Sequence, residues 1–357
     1  MTDRILTQSI TTLRFPLSIG IVLLHTIIVG QSYPNGITIE HGQYLLLDIV
    51  VYVSQREIGD IAVPLFFFIS GFLFFYRTTF TYDTYKKKIR KRIRSLLIPY
   101  LIWNTLWLAF MWCCYTLIPS LLASTKDAFD NFTIYTLIDG YVGYDNGPSL
   151  GPLWFIRDLM FINLFAYPLF YLIKRIDYIL IPLLLLLFTL KIGYETSFIG
   201  TRSWTMYVWG AWFAINKKDL VRILYIHRIW IIICFILLII FCSILNYNHI
   251  TIVCINQIEL IVGVFSLFLI AAIYAGRKTT SLSAKYANAS FFIFVSHMFI
   301  INLPNKLWVY LLPANAFTAS FMQITIPIIT GLILYYIYVV LNHFSPRLLA
   351  LIIGGRN

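Results

Sequence analysis

The sequence predicts an all-α polytopic membrane protein with about ten transmembrane helices and both termini cytoplasmic. Three observations carry that expectation. Of the 357 residues, 60% are hydrophobic and the mean hydropathy is +0.81, whereas soluble domains are about 45–50% apolar. The apolar residues fall in successive runs, most of them close to the roughly 20 residues that a spanning helix needs. Lys and Arg collect in alternate loops, as cytoplasmic loops require.

In chain order the runs lie near 11–31, 58–76, 95–118, 152–173, 178–194, 201–215, 229–246, 252–275, 287–303 and 319–343. The sixth is short, and Arg202 and Trp204 at an interface would shorten it. The stretch YLLLDIVVYVS at 44–54 is too short to span and reads as an interfacial or re-entrant helix. With the amino terminus inside, the cytoplasmic segments hold Arg4, Arg14, Arg77 and the run YKKKIRKRIR at 85–94. They also hold Lys174, Arg175, Lys217, Lys218, Arg222, Arg228, Arg277, Lys278, Lys285, Arg347 and Arg356. Of the 27 basic residues, only Arg56, Lys126, Arg157, Lys191, Arg202 and Lys306 fall elsewhere. The formal charge of +12 therefore reads as a topology signal and not as a nucleic-acid footprint.

No small-residue cleavage site follows the first run, so no cleavable signal peptide is expected. Residues 1–357 read as a single membrane-embedded domain without internal repeats. Cys113, Cys114, Cys234, Cys242 and Cys254 have neither metal spacing nor a disulfide framework and read as small core hydrophobes. No His or Cys pair sits at ligand spacing on one helix, so no metal is expected. The outer loops at 31–57 and 119–151 are rich in Tyr, Asp, Asn and Gly. They suit an interfacial aromatic belt first and a sugar-binding face second.

The first run, TTLRFPLSIGIVLLHTIIVG, carries Arg14 and His25. Eleven residues at about 100° each bring the two within about 20° of one helical face, roughly 16 Å apart along the axis. Arg14 then lies at one membrane surface and His25 near mid-depth or beyond. An ionisable group there is costly and points to function.

The same pair resembles a known signature. An arginine, ten residues and a histidine on the first span are similar to the acyltransferase 3 family of membrane O-acyltransferases. AVPLFFFISGFLFF at 62–75 resembles that family's Pro-hydrophobic-Phe-Phe-x-x-Ser-Gly block, with Pro64, Ser70 and Gly71 in place. RSLLIPYLIWN at 94–104 is similar to its Arg-x-x-x-x-Pro-Tyr block, and GPLWFIRDL at 151–159 to its Leu-Trp-Phe block. NASFFIFVSHMFI at 288–300 resembles the late span ending in a histidine, here His297, with Phe in place of a common Tyr. The five blocks stand in the family's order and cover nearly the whole chain.

The resemblance implies transfer of an acyl group, acetyl above all, from cytoplasmic acyl-CoA to a hydroxyl of a cell-surface or lipid-linked glycan. It also implies a bacterial inner membrane, lipids as surroundings, and no metal or nucleic acid. Such chemistry needs a base near neutral pH, which histidine supplies. His25 is the expected base. Arg14 is expected at the phosphate or thioester end of the donor, where a planar guanidinium binds in bidentate fashion. In the basic run, Lys87, Arg90 and Arg94 are the expected phosphate contacts, the arginines being four apart on one face.

Ser70, Asn104, Trp154, Arg157, Asp158, Glu259 and His297 are the expected substrate-cavity residues. Arg157 and Asp158, as neighbours, should not face one another, so each should find a partner elsewhere. Asp48 or Asp60 should orient His25. The alternative is a glycan or small-anion transporter or flippase whose path the same polar residues line. A non-catalytic scaffold would leave Arg14 and His25 without a task.

Overall fold

In hydrocarbon every backbone N–H and C=O must be paired within the chain, which leaves apolar runs of this length only the helix. The computed structural model describes residues 2–30, 32–33, 36–117, 131–190, 200–277 and 286–355. Among these the chain is helical without a named strand, and Ser32 and Thr38 form one isolated bridge. Lys126, Lys191, Lys278, Lys285 and Arg356, which the topology argument used, lie outside the described residues.

Helix α1 (Thr2–Leu24) is followed by α2 (Leu45–Phe75) and α3 (Tyr82–Leu117). Then come α4 (Ile134–Val142), α5 (Trp154–Leu164), α6 (Ala166–Ile176), α7 (Leu180–Thr189) and α8 (Thr201–Ile215). The chain continues through α9 (Leu220–Ile226), α10 (Arg228–Tyr247), α11 (Val253–Arg277), α12 (Ser290–Ile300) and α13 (Asn302–Leu311). Helices α14 (Ala316–Phe344) and α15 (Pro346–Ile352) close it.

Two boundaries differ from expectation. The stretch at 44–54 is not a separate interfacial helix but the first turns of α2, because no proline intervenes before Pro64. It joins the later turns through π-helical turns at Val53–Gly59. Likewise α3 runs without a break from the basic segment into the third span. It widens into a π turn at Ile93–Leu97, just ahead of Pro99, which has no N–H to donate.

Among the described residues six helices, α1, α2, α3, α10, α11 and α14, are long and apolar enough to cross a bilayer. A seventh span arises if α12 and α13, bent by 52°, count as one. The runs at 152–173, 178–194 and 201–215 instead fold as α5 with α6, α7 and α8, each too short to qualify alone. The chain is thus an all-α, polytopic, integral membrane protein.

The α2 helix is the hub of the packing. Against it α8 lies so close that a Cβ added at Gly71 would run into the Tyr207 carbonyl, and one at Gly210 into that of Phe68. Gly20 of α1 and Gly59 of α2 make a similar crossing, with Ile58 O 3.1 Å from a Cβ built on Gly20. Small residues allow such approach where water supplies no hydrophobic drive between helices. Around these contacts Phe68 is ringed by Phe265 at 5.6 Å and Phe213 at 5.9 Å between centroids. Of the cysteines only Cys242 is buried, so the core reading fits it alone.

Arg157 and Asp158 correct a second expectation, for they do face one another. The guanidinium folds back along the helix surface, and its Nε and Nη2 donate to Asp158 Oδ1 at 3.0 and 2.8 Å. Its Nη1 donates to the Gly143 carbonyl, and Ser203 Oγ donates to Asp158 Oδ2 at 3.2 Å. The pair therefore fastens α5 to α8 and to the turn after α4. From α4 itself Asp139 accepts from the N–H groups of Tyr144, Asp145 and Asn146 in that turn. Burial raises its pKa, but these donors prevail and hold the carboxyl below the usual carboxylate range. Asn104 belongs to the same support, accepting from Leu150 N at 3.0 Å and donating to Tyr100 O at 3.1 Å.

Two outcomes follow for stability. Gly71→Val is expected to cost about 3 kcal/mol or more by overpacking against backbone. Fluorescence-detected size exclusion after heating should show the folded peak lost at lower temperature, and a wild-type profile would contradict the contact. Asp158→Asn strands a buried guanidinium and is expected to cost about 3–5 kcal/mol. It should depress the melting temperature in detergent, whereas an unchanged melt would show that the pair bears no structural load.

Candidate active site

Helix α1 carries the site, and α12 runs beside it in the same direction. Phe15 meets Tyr286 at 5.0 Å between ring centroids, Ser18 Oγ donates to Ser290 O at 3.0 Å, and His25 meets His297 at 5.2 Å. The last two contacts are seven residues apart along both segments, two turns on α12 and to the end of α1 on the other, so one register fixes both ends of the site.

At its lower end Arg14 lines a cavity of about 390 Å³ with Ser18, Ser70, Arg92, Asn288 and Ser290 among its polar walls. The Arg14 guanidinium has no hydrogen bond or ion pair among the described residues. A second cavity of about 270 Å³ shares Leu73 and Arg92 with the first and adds Lys88, Lys91 and Ser95. Cations thus run from the basic end of the bundle to Arg14. Lys88 is anchored there, donating to Thr78 Oγ1 at 2.8 Å and to the Phe74 carbonyl.

The expected phosphate contacts sit on the other face of α3. Lys87, Arg90 and Arg94 are exposed and line none of the cavities described here. Within the same basic run it is Lys88, Lys91 and Arg92 that line the cavities. The signal was in the sequence: stepping back by four from buried Tyr100 and Leu96 lands on Arg92 and Lys88.

At its upper end α1 stops at Leu24, so His25 lies just past the helix and not inside it. The chain tightens there, with His25 N donating to Val22 O at 3.1 Å. Beside it His297 is wholly buried, and its Nδ1 lies 2.7 Å from the Phe294 carbonyl. A carbonyl only accepts, so Nδ1 carries the proton and Nε2 is left as an acceptor. That Nε2 is buried without a hydrogen-bond partner. A buried acceptor left open beside a second imidazole is suited to receive a proton or a hydroxyl.

His25 is not among the residues lining the Arg14 cavity. Phe66, Phe155 and Phe294 stand at the cavity's wall in ring contact, at 6.0 and 5.8 Å between successive centroids. They form an aromatic partition along one wall of the cationic hollow.

The remaining expected residues are placed as follows. Ser70 lines the Arg14 cavity. Trp154 is half-buried against Phe67, 6.2 Å between centroids. Asn104, Arg157 and Asp158 are the structural supports described above. Neither Asp48 nor Asp60 orients His25. Asp48 accepts from Gly42 N at 3.1 Å, while Asp60 pairs with Arg56 at 2.6 Å and Arg202 at 3.5 Å. Both carboxylates already have donors of their own, in a third cavity of about 450 Å³ at the opposite end from the lysines. Glu259 is buried behind that cavity, near Tyr52 Oη at 3.4 Å and Arg56 Nε at 4.0 Å.

No curated protein and no solved structure matches the chain at comparable stringency. A family model described as an acyltransferase domain does match, over residues 7–341. That stretch takes in Arg14, the cationic cavities, the aromatic partition and both histidines, and by it the chain belongs to the acyltransferase 3 family of membrane acyltransferases.

Proposed function

We propose that the protein is an acyl-CoA-dependent O-acyltransferase of a bacterial inner membrane, moving an acetyl group to a hydroxyl of a cell-surface or lipid-linked glycan. The observation that carries this reading is the division of labour along α1: an unpaired guanidinium in a cation-lined hollow, and an imidazole pair beyond it. In this reading the basic end faces the cytoplasm. Arg14, Arg92, Lys88 and Lys91 hold the phosphates of the donor, and the acyl end displaces the Phe66, Phe155 and Phe294 rings to reach the histidines. The acceptor comes from the opposite side, where Asp48, Asp60, Gln55 and Asn256 offer carboxylates and amides to sugar hydroxyls.

The chemistry balances without a further reactant. His25 takes the proton of the acceptor hydroxyl as its oxygen attacks the thioester carbonyl. The tetrahedral intermediate collapses, the C–S bond breaks, and the imidazolium returns the proton to the departing thiolate. Ester and free CoA thiol are the products. His297, its tautomer set by Phe294, accepts a hydrogen bond at Nε2 and positions the proton donor.

Labelled acetyl-CoA and membrane glycans supplied to the purified protein test the reading. His25→Ala is expected to abolish label transfer while leaving folding and donor binding intact; turnover near wild type would refute its role. Arg92→Gln should raise the donor KM about tenfold through loss of a charge-assisted contact, and Arg90→Gln should leave it within about twofold. The reverse order would move the donor to the exposed face of α3.

A further inference from the structure

A separate cavity has a volume of about 740 Å³. It lies at the basic end among the start of α1, the α2–α3 connection, the end of α6 and the α8–α9 turn. It shares no lining residue with the Arg14 cavity. The α2 helix stands between them: Ser70 and Leu73 face one hollow, Phe72, Phe75 and Tyr76 the other. The Gly71 and Gly210 contacts close the α2–α8 seam, so no passage runs through it.

Four cations line this cavity, Arg77, Lys174, Lys217 and Lys218, with two acids, Asp3 and Asp219. Both acids are already engaged. Asp3 accepts from Arg77 and from Tyr76 Oη, and Asp219 accepts from Arg222 N at 3.0 Å as the cap of α9. The three lysines have no carboxylate partner among the described residues. Lys174 stands 4.8 Å from the Phe170 ring centroid, and Lys218 4.8 Å from that of Tyr178. Arg77 and Lys217 hold left-handed backbone, at φ 52° and 50°, on opposite sides of the rim. At Lys217 this closes the end of α8 in a Schellman-type cap, Lys218 N donating to Phe213 O at 3.0 Å.

Below the charges the floor is apolar, made by Phe72, Phe75, Phe80, Phe170 and Phe213. Just outside, Tyr171, Leu172, Tyr178 and Ile179 are exposed apolar residues on the same segment. A ligand here meets cations at its head and an apolar flank beside it. Basic pockets between membrane helices at the cytoplasmic side bind anionic lipid head groups for this reason. We propose that this cavity holds the phosphate head group of an anionic phospholipid, as a site separate from the donor's. The proposal does not depend on the acyl-transfer reading.

The full chain, delipidated in neutral detergent, tests it by native mass spectrometry and thermal melting with phosphatidylglycerol or phosphatidylcholine added. Phosphatidylglycerol is expected to bind and to raise the melting temperature, and phosphatidylcholine to do neither. Lys174→Gln with Lys217→Asn removes two charges, the Asn tolerating the left-handed backbone. Each lysine near an anionic head group contributes about fivefold, so the double variant should bind phosphatidylglycerol about 25-fold more weakly. Should it not fold, Lys217→Asn alone should lose about fivefold. Arg347→Gln, at an exposed position on α15 away from the cavity, should bind as wild type does. Equal binding of the two lipids, or binding unaltered by the lysine substitutions, would overturn the proposal. So would displacement of the lipid by 3′-phosphoadenosine 5′-phosphate, which would make the cavity a nucleotide site.

Discussion

The register between α1 and α12 is the constraint on which the site depends. Ser18 reaches across to the Ser290 carbonyl, and seven residues further along both segments His25 meets His297. A slip of one residue would rotate each partner by about 100° and separate the rings. Both helices have small residues at the first contact, so the backbones approach closely there. Arg14 is therefore held on α1 itself and His25 on the turn that directly ends it, close to the rigid elements that a site's geometry requires. The α2 hub holds α1 in turn through the Gly20 and Gly59 crossing, and is itself fixed against α8 by the Gly71 and Gly210 seam.

Polar groups inside a membrane protein are costly until something satisfies them. That cost sorts the residues here. Arg157, Asp158 and Asn104 spend their hydrogen-bonding capacity on one another and on nearby backbone, and so serve the fold. Arg14 and His297 Nε2 lack such partners, and each faces the site. Sequence alone treats all of them alike, as polar residues in apolar runs. Their hydrogen bonds tell supports from candidates.

The order of the helices, the apolar runs and the Arg14 and His25 pair were legible because period and composition act over many residues. Three features were not. The end of α1 at Leu24 has no breaker to mark it, since His25, Thr26 and Ile27 continue an apolar run that could have stayed helical. The cavity-lining face of α3 is hard to read because a run of seven basic residues in nine offers cations in every direction, and only the buried Leu96 and Tyr100 further along set the phase. The Arg157 and Asp158 pair was discounted because neighbouring Cβ atoms diverge. A guanidinium is long enough to fold back, and burial rewards it for doing so.

Phe294 joins the two halves of the site. Its ring belongs to the partition along one wall of the cationic hollow, and its carbonyl fixes the protonated nitrogen of His297. Under the proposed reading a donor entering from the basic end has to move that ring, while the carbonyl is held by the helix that carries it. In that reading this has a chemical use. A thioester beside a general base is open to attack by water as well as by a sugar hydroxyl. With the rings closed, the imidazoles and the donor phosphates are kept apart. When the acyl end parts them, the histidine it meets already has its acceptor nitrogen free, because the tautomer is set by backbone that the opening leaves in place.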